Sequence, residues 1–183
     1  FLNESNLPNN RLVFDKNLKE FKLDDFILSN MDQEVKLDGE FKGDSYKDIN
    51  VEFKNFDINA LTSAQESFVI YGNLNGKINY NQNKQVYKPT ASLRIDSLKV
   101  NNHDLGILNF DIKGDESFKK FTIYSTIENK DFESFSADGS FEVVNKETLF
   151  DLNLKFDRFN LATLSSLGGD VISNIRGLVS GNA

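Results

Sequence analysis

The stretch Leu154-Lys155-Phe156-Asp157-Arg158-Phe159-Asn160-Leu161 decides the fold. Its apolar residues alternate with polar ones, slip by one residue at Asp157-Arg158, then alternate again. Alternation of this kind marks a strand with one buried face. In a flat strand the slip would turn Phe159 and Leu161 to the opposite face. A β-bulge at the central pair absorbs the extra residue, keeps all four apolar groups on one side and bends the strand.

Four other stretches carry the same pattern. They run from Phe21 to Leu28, from Val51 to Ile58, from Leu93 to Val100 and from Leu105 to Ile112. Their central pairs are Asp24-Asp25, Lys54-Asn55, Asp96-Ser97 and Leu108-Asn109, none with the Gly that a tight primed hairpin turn prefers. The pattern predicts strands bent at one level, which curves a sheet. It also fits bulged or corner strands in an ordinary sandwich, so both arrangements stay open on spacing alone.

Composition narrows the function classes. The 183 residues suffice for one domain with a real core or for two small units. Twenty-one Lys and Arg against 28 Asp and Glu give a net charge of −7. That balance argues against nucleic acid, because phosphate contacts need clustered cations. The charges alternate with apolar residues, as on the solvated face of a sheet. Seventeen Phe, two Pro, no Trp and many Asn and Asp fit an all-β chain with turn-rich connections. With no Cys there is neither a disulfide framework nor a thiolate metal site. No stretch approaches the length of a membrane-spanning helix, and no signal-like segment follows Phe1. The chain reads as an internal piece of a longer protein.

Along the chain, residues 1–10 read as a loose lead-in and 11–15 as a short strand. Bent strands are expected over 18–28, 49–58 and 149–161, and an alternating strand over 35–41. Asn59 is the expected N-cap of a short helix over 60–66, and Asn160 of a second through Leu164 and Leu167. A period-two run follows from Phe68 to Tyr80, then a polar loop or hairpin end over 81–89. Antiparallel pairs are expected over 91–100 with 105–113, and over 118–128 with 132–143. A closing strand covers 175–180.

The chain also repeats itself. Asp38-Gly39-Glu40-Phe41 matches Asp138-Gly139-Ser140-Phe141. Phe53, Phe56, Ile58 and Leu61 match Phe156, Phe159, Leu161 and Leu164, and Gly72 to Gly76 matches Gly177 to Gly181. Copy 1 covers about 35–80 and copy 2 about 137–183 of a single segment spanning 1–183. Tandem copies suggest stacking along an axis, each unit mainly touching its neighbours. Short alternating runs also match by coincidence.

A bent strand ending in Phe-x-Leu, a short Leu-containing helical stretch, then Gly-x-x-x-Gly on the next strand resembles the TamB family of translocation and assembly proteins, within the AsmA-like superfamily. The residues that carry this are Phe159-Asn160-Leu161-Ala162-Thr163-Leu164 with Gly177 and Gly181. The earlier copy reads Phe56-Asp57-Ile58-Asn59-Ala60-Leu61 with Gly72 and Gly76. The stretch Ile95 to Val100, followed by Leu105-Gly106, resembles the family's strand pair between such motifs. The likeness covers most of 35–183. The family's membrane anchor and its outer-membrane-facing domain have no counterpart in these residues.

The resemblance implies an all-β fold: a long curved antiparallel or mixed sheet forming an open half-tube, the β-taco groove, with one or two short helices. It implies a periplasmic module of a longer chain anchored in the inner membrane. Such a module shields or conducts phospholipid acyl chains between inner and outer membrane and supports outer-membrane protein assembly. Its partners would be acyl chains or hydrophobic β-strands of client proteins, with an outer-membrane barrel protein contacted through other parts of the longer chain. The expected lining is Phe21, Leu23, Phe53, Phe56, Ile58, Leu93, Ile95, Ile107, Phe110, Phe121, Ile123, Phe135, Phe141, Leu152, Leu154, Phe156, Phe159 and Leu161. The other reading is a structural or adhesive β-sandwich or solenoid domain in which these residues meet in a closed core.

No catalytic constellation stands out. His103, the single histidine, lies in a turn-like stretch without a second His or Cys to join it. Ser117-Phe118-Lys119-Lys120 has Ser-x-x-Lys spacing without its companion motifs. Asn79 to Asn83 lacks the first Asp, the Gly and the final Glu of a calcium loop. Asp24 and Asp25 fit water-facing bulge residues. No enzyme activity, metal or cofactor is expected.

Overall fold

The computed structural model describes residues 10–17, 19–61, 69–101, 103–130, 132–144, 147–164 and 176–183. Its strands are β1 Arg11–Phe14, β2 Glu20–Asn30, β3 Gln33–Lys42, β4 Tyr46–Asp57, β5 Ile70–Asn83, β6 Val86–Val100, β7 His103–Gly114, β8 Lys120–Asn129, β9 Phe132–Val144, β10 Glu147–Asn160 and β11 Leu178–Asn182. They form one antiparallel sheet in sequence order, and the sheet is not closed. At the usual spacing of about 4.8 Å, eleven strands span roughly 50 Å. An open sheet this wide curls.

Register assigns every strand residue to one of two faces. Val35, Phe53, Gly76, Leu93, Phe110, Ser125, Ala137 and Leu154 lie opposite one another across eight strands. The next row holds Leu37, Val51, Ile78, Ala91, Ile112, Ile123, Gly139 and Leu152. Between these apolar rows, on the other face, lie Lys36, Glu52, Lys77, Ser92, Asp111, Tyr124, Asp138 and Asn153. One face is therefore apolar from edge to edge and the other polar, as the alternation requires.

Four of the five predicted bulges are present. Pairing breaks between Leu23 and Phe26, Phe53 and Phe56, Ile95 and Leu98, and Phe156 and Phe159. At each break the second residue of the pair has positive φ: Asp25, Asn55, Ser97 and Arg158. Three of the freed amides donate to a side chain on the next strand: Asp25 N to Asp38 Oδ1, Asn55 N to Asn75 Oδ1 and Arg158 N to Ser180 Oγ, each at 2.9 Å. Each acceptor stands just before a glycine, Gly39, Gly76 or Gly181.

The fifth expected bulge, at Leu108-Asn109, is absent. β7 pairs without a break from Ile107 to Gly114, and its irregularity lies at Leu105-Gly106. Leu108, Phe110 and Ile112 share the apolar face, and Ile107 pairs with Glu128 on the polar one. Apolar residues at both 107 and 108 fit two registers, and pairing with β8 selects the second.

The helices are single 3-10 turns over Ile58–Leu61 and Leu161–Leu164. The first follows Asp57, whose Oδ1 accepts from Asn59 N at 3.0 Å. Asn160 caps the second, accepting from Ala162 N at 3.0 Å. The remainder of both predicted helices lies outside the described residues, as do Phe68 and Ile175 of the expected strands. The stretch 81–89, expected as a polar loop or hairpin end, is a tight hairpin end, with β5 and β6 joined at Lys84-Gln85.

Candidate functional site: an open apolar face

The bulges of β4, β6 and β10 stand near one end of their strands, where the sheet bends into a crease, and the β2 bulge sits mid-strand, opposite Asp38. Ile58, Leu74, Leu98, Leu105, Ile127 and Phe159 form the buried cluster at this crease. Phe53, Phe56, Leu93, Ile95, Leu108, Phe135 and Phe156 pack against it, half-buried. Three ring contacts tie the crease at β9 and β10: Phe135 to Phe156 at 5.3 Å, Phe135 to Phe159 at 5.9 Å and Phe156 to Phe159 at 5.7 Å.

Away from the crease the apolar face opens. Among the described residues no large side chain is fully buried, and each strand packs chiefly on its sequence neighbours. Among the described residues no second sheet covers the face. At the far end of the strands a file of rings runs Tyr80, Phe118, Phe121, Phe141 and Phe150, with centroids 4.7 to 6.1 Å apart. Its members range from half-buried to Phe150, which is 66 % exposed. Burial raises the Tyr80 phenol pKa, with a smaller contribution from Tyr87, and its hydroxyl donates to Gln82 Oε1 at 3.1 Å. Phe21 and Phe41 stack at 4.0 Å near β1.

The expected lining residues distribute as follows. Phe21, Leu23, Phe53, Phe56, Leu93, Ile95, Phe110, Phe121, Ile123, Phe135, Phe141, Leu152, Leu154, Phe156 and Phe159 share the apolar face. Ile58 is buried in the crease, and Leu161 is half-buried in the second 3-10 turn. Ile107 stands on the polar face. Leu74, Leu98, Leu105, Leu108 and Ile127 belong to the same apolar surface and were missed. Leu98 already sat at the third apolar position of a recognised bent strand. Leu74 and Ile127 were legible as period-two neighbours.

The polar face is also hollow. A depression of about 640 Å³ there is lined by Lys77, Asn79, Thr90, Asp111, Lys113 and Tyr124 among others. Its charged and amide groups do not suit an acyl chain. On the apolar face the smaller hollow of about 130 Å³ involves Leu28, Val35 and Phe56. The apolar face is an open surface, not a closed cavity.

Residues that looked chemically suggestive have structural roles. Ser117 Oγ donates to Asp115 Oδ2 at 2.6 Å within the β7–β8 turn. Asp24 and Asp25 hold the β2 bulge. The Asp24 carboxyl is kept below its usual range by Lys22 and Arg11, and that of Asp25 chiefly by Lys36. Among the described residues no cluster of three or more His, Asp or Glu could hold a metal, and no helix is long and apolar enough to cross a membrane. No protein family, curated protein or solved structure matches this chain.

Proposed function

We propose that the apolar face shields or conducts phospholipid acyl chains, as a periplasmic module of a TamB-like envelope protein. One observation carries this reading: an apolar surface crosses the open sheet, with no second layer over it among the described residues. Monomers rarely leave such a surface bare without a use for it. A chain lying on it gains roughly 0.8 kcal/mol per buried methylene. The surface offers no deep specific pocket, so bound chains slide along it. Assistance to outer-membrane protein assembly belongs to the same proposal, because an apolar trough also accepts the lipid-facing side of a client strand.

Photocrosslinking tests the proposal. Benzophenone side chains at Phe110 and Phe150 on the apolar face should label phospholipid acyl chains, and one at Tyr124 on the polar face should not. Equal labelling at all three positions, or none at any, would sink the reading.

A further inference from the structure

The two rims of the open face differ in chemistry. Consecutive antiparallel strands send the β1–β2, β3–β4, β5–β6 and β7–β8 turns to one rim, opposite the crease. That rim carries Lys16, Lys19, Lys47, Lys84, Lys119 and Lys120. Among the described residues none of these six is ion-paired, and all but the half-buried Lys47 are exposed. Lys47 pairs with Phe41 and Gln82, which places it in the outermost row of the apolar face itself. Acids are present too: Asp15, Glu20, Asp44, Asp115, Glu116, Glu142, which pairs with Lys120, and Glu147. Asp15 and Asp115 turn their oxygens inward. Asp15 accepts from the amides of Asn17, Lys19 and Glu20, and Asp115 from those of Lys119 and Lys120 and from the Ser117 hydroxyl.

The crease rim is the more acidic of the two. Asp32, Asp57, Asp104, Glu128, Glu133 and Asp157 stand there, against Lys99, Lys130, Arg158 and Arg176. Apolar groups break the surface at both rims: Phe14 is 59 %, Phe118 44 % and Phe150 66 % exposed at the lysine rim, and Met31 97 % at the crease rim, but the exposed rings Phe14, Phe118 and Phe150 stand among the lysines. Rings at the water boundary with lysines interleaved match the chemistry of a lipid interface.

We infer that the lysine-bearing hairpin rim holds the phosphate head groups of anionic phospholipids whose acyl chains lie on the apolar face. This rests on the proposed acyl-chain function. It adds a head-group site, an orientation and a substrate class. Tails point toward the crease, and heads ride in water along the rim opposite. The acidic crease rim repels the same head groups, so the lipid has one favoured orientation.

Binding of three probes, added one at a time and read by native mass spectrometry, tests this: dioleoylphosphatidylglycerol, dioleoylphosphatidylcholine and dioleoylglycerol. The expected result is binding of all three, with the anionic lipid favoured over the zwitterionic one by about tenfold at low salt. The combined variant Lys47→Gln, Lys84→Gln, Lys119→Gln, Lys120→Gln should erase that preference and leave dioleoylglycerol binding unchanged. Its circular dichroism spectrum, compared with that of the parent, checks that it is folded. Asp32→Asn with Glu128→Gln, at the crease rim, should leave the preference in place. Equal binding of the two phospholipids, or a preference that survives the four lysine changes, overturns the head-group site while the apolar trough stands. Failure of dioleoylglycerol and both phospholipids to bind removes the trough reading and this inference with it.

Discussion

β2 with β3 and β8 with β9 occupy corresponding places at the start of the two repeat copies, yet the first pair breaks mid-strand, between Leu23 and Phe26, and the second only at its crease end, between Ile127 and Glu128. Both stack a Phe pair across the strands, Phe21 on Phe41 at 4.0 Å and Phe121 on Phe141 at 4.7 Å. Both set an Asp-Gly on the second strand, with Gly39 opposite Leu23 and Gly139 opposite Ile123. In β2 the inward residues are Phe21, Leu23, Phe26 and Leu28, and the slip forces a bulge whose amide Asp38 captures. In β8 they are Phe121, Ile123, Ser125 and Ile127, and pairing is unbroken from 121 to 127. Asp138 is present, but it meets no bulge amide and accepts instead from Asn153 Nδ2 at 3.4 Å. The spacing of apolar residues decides where a strand bends. The acceptor on the next strand only stabilises a bend that spacing has already set.

Deleting one residue from each strand gives the largest contrast. Without Asp25, Leu23 and Phe26 fall into simple alternation, and β2 should pair with β3 as β8 does with β9. The loss is one captured amide, about 1 kcal/mol, with a solvent-screened ion pair to Lys36. Without Tyr124, Ile127 leaves its place opposite Phe135 in the crease, whether the strand turns over or the hairpin shifts. That should cost about 3 kcal/mol or more. Urea unfolding of the two deletants measures both. Equal destabilisation would show that spacing does not set the bend.

The paired glycines give the next contrast. Gly139 has φ +150°, and a Cβ there would lie 2.1 Å from the Asp151 carbonyl oxygen. Gly39 has no such backbone, and its nearest clash is 3.3 Å from the Asp48 carbonyl oxygen. Gly139→Ala should therefore lower stability by about 2–4 kcal/mol and Gly39→Ala by about 1 kcal/mol. Thermal unfolding of the two variants side by side checks the order.

Much of this architecture was legible because apolar spacing is a direct record of which face a residue occupies. The bends at Asp25, Asn55, Ser97 and Arg158 could be read from the slip alone, and so could the open choice between trough and sandwich. The pairing of β7 could not, because Ile107 and Leu108 are both apolar and only the neighbouring strand distinguishes them. The equivalence of the Asp15 and Asp115 turns went unseen for a different reason. It lies in polar residues, Asp15-x-Asn17-x-Lys19 and Asp115-x-Ser117-x-Lys119, whose meaning is a hydrogen-bond pattern, not a face. That the sheet stays open follows from no single stretch. It depends on how eleven strands add up.

Those two turns supply the smallest effect and the sharpest comparison. Asp115 has its carboxyl pKa lowered to about 2, first by the Ser117 hydroxyl and then by the Lys119 amide. Asp15 is lowered too, but chiefly by the Glu20 amide, with Asn17 contributing through its backbone. A folded-state pKa below the unfolded value means that each ionised carboxylate favours the folded turn. For Asp115 that contribution is complete above about pH 4 and disappears as pH falls toward 2. Ser117→Ala should raise the Asp115 pKa toward its ordinary value, because the first of its donors is gone. Asn17→Ala should leave Asp15 where it is, because the backbone amide survives the change. Carboxyl carbon chemical shifts followed from pH 6 to pH 1.5 read both sites at once. If Asn17→Ala moved Asp15 as far as Ser117→Ala moves Asp115, the two turns would not be held by the different donors that their geometry assigns.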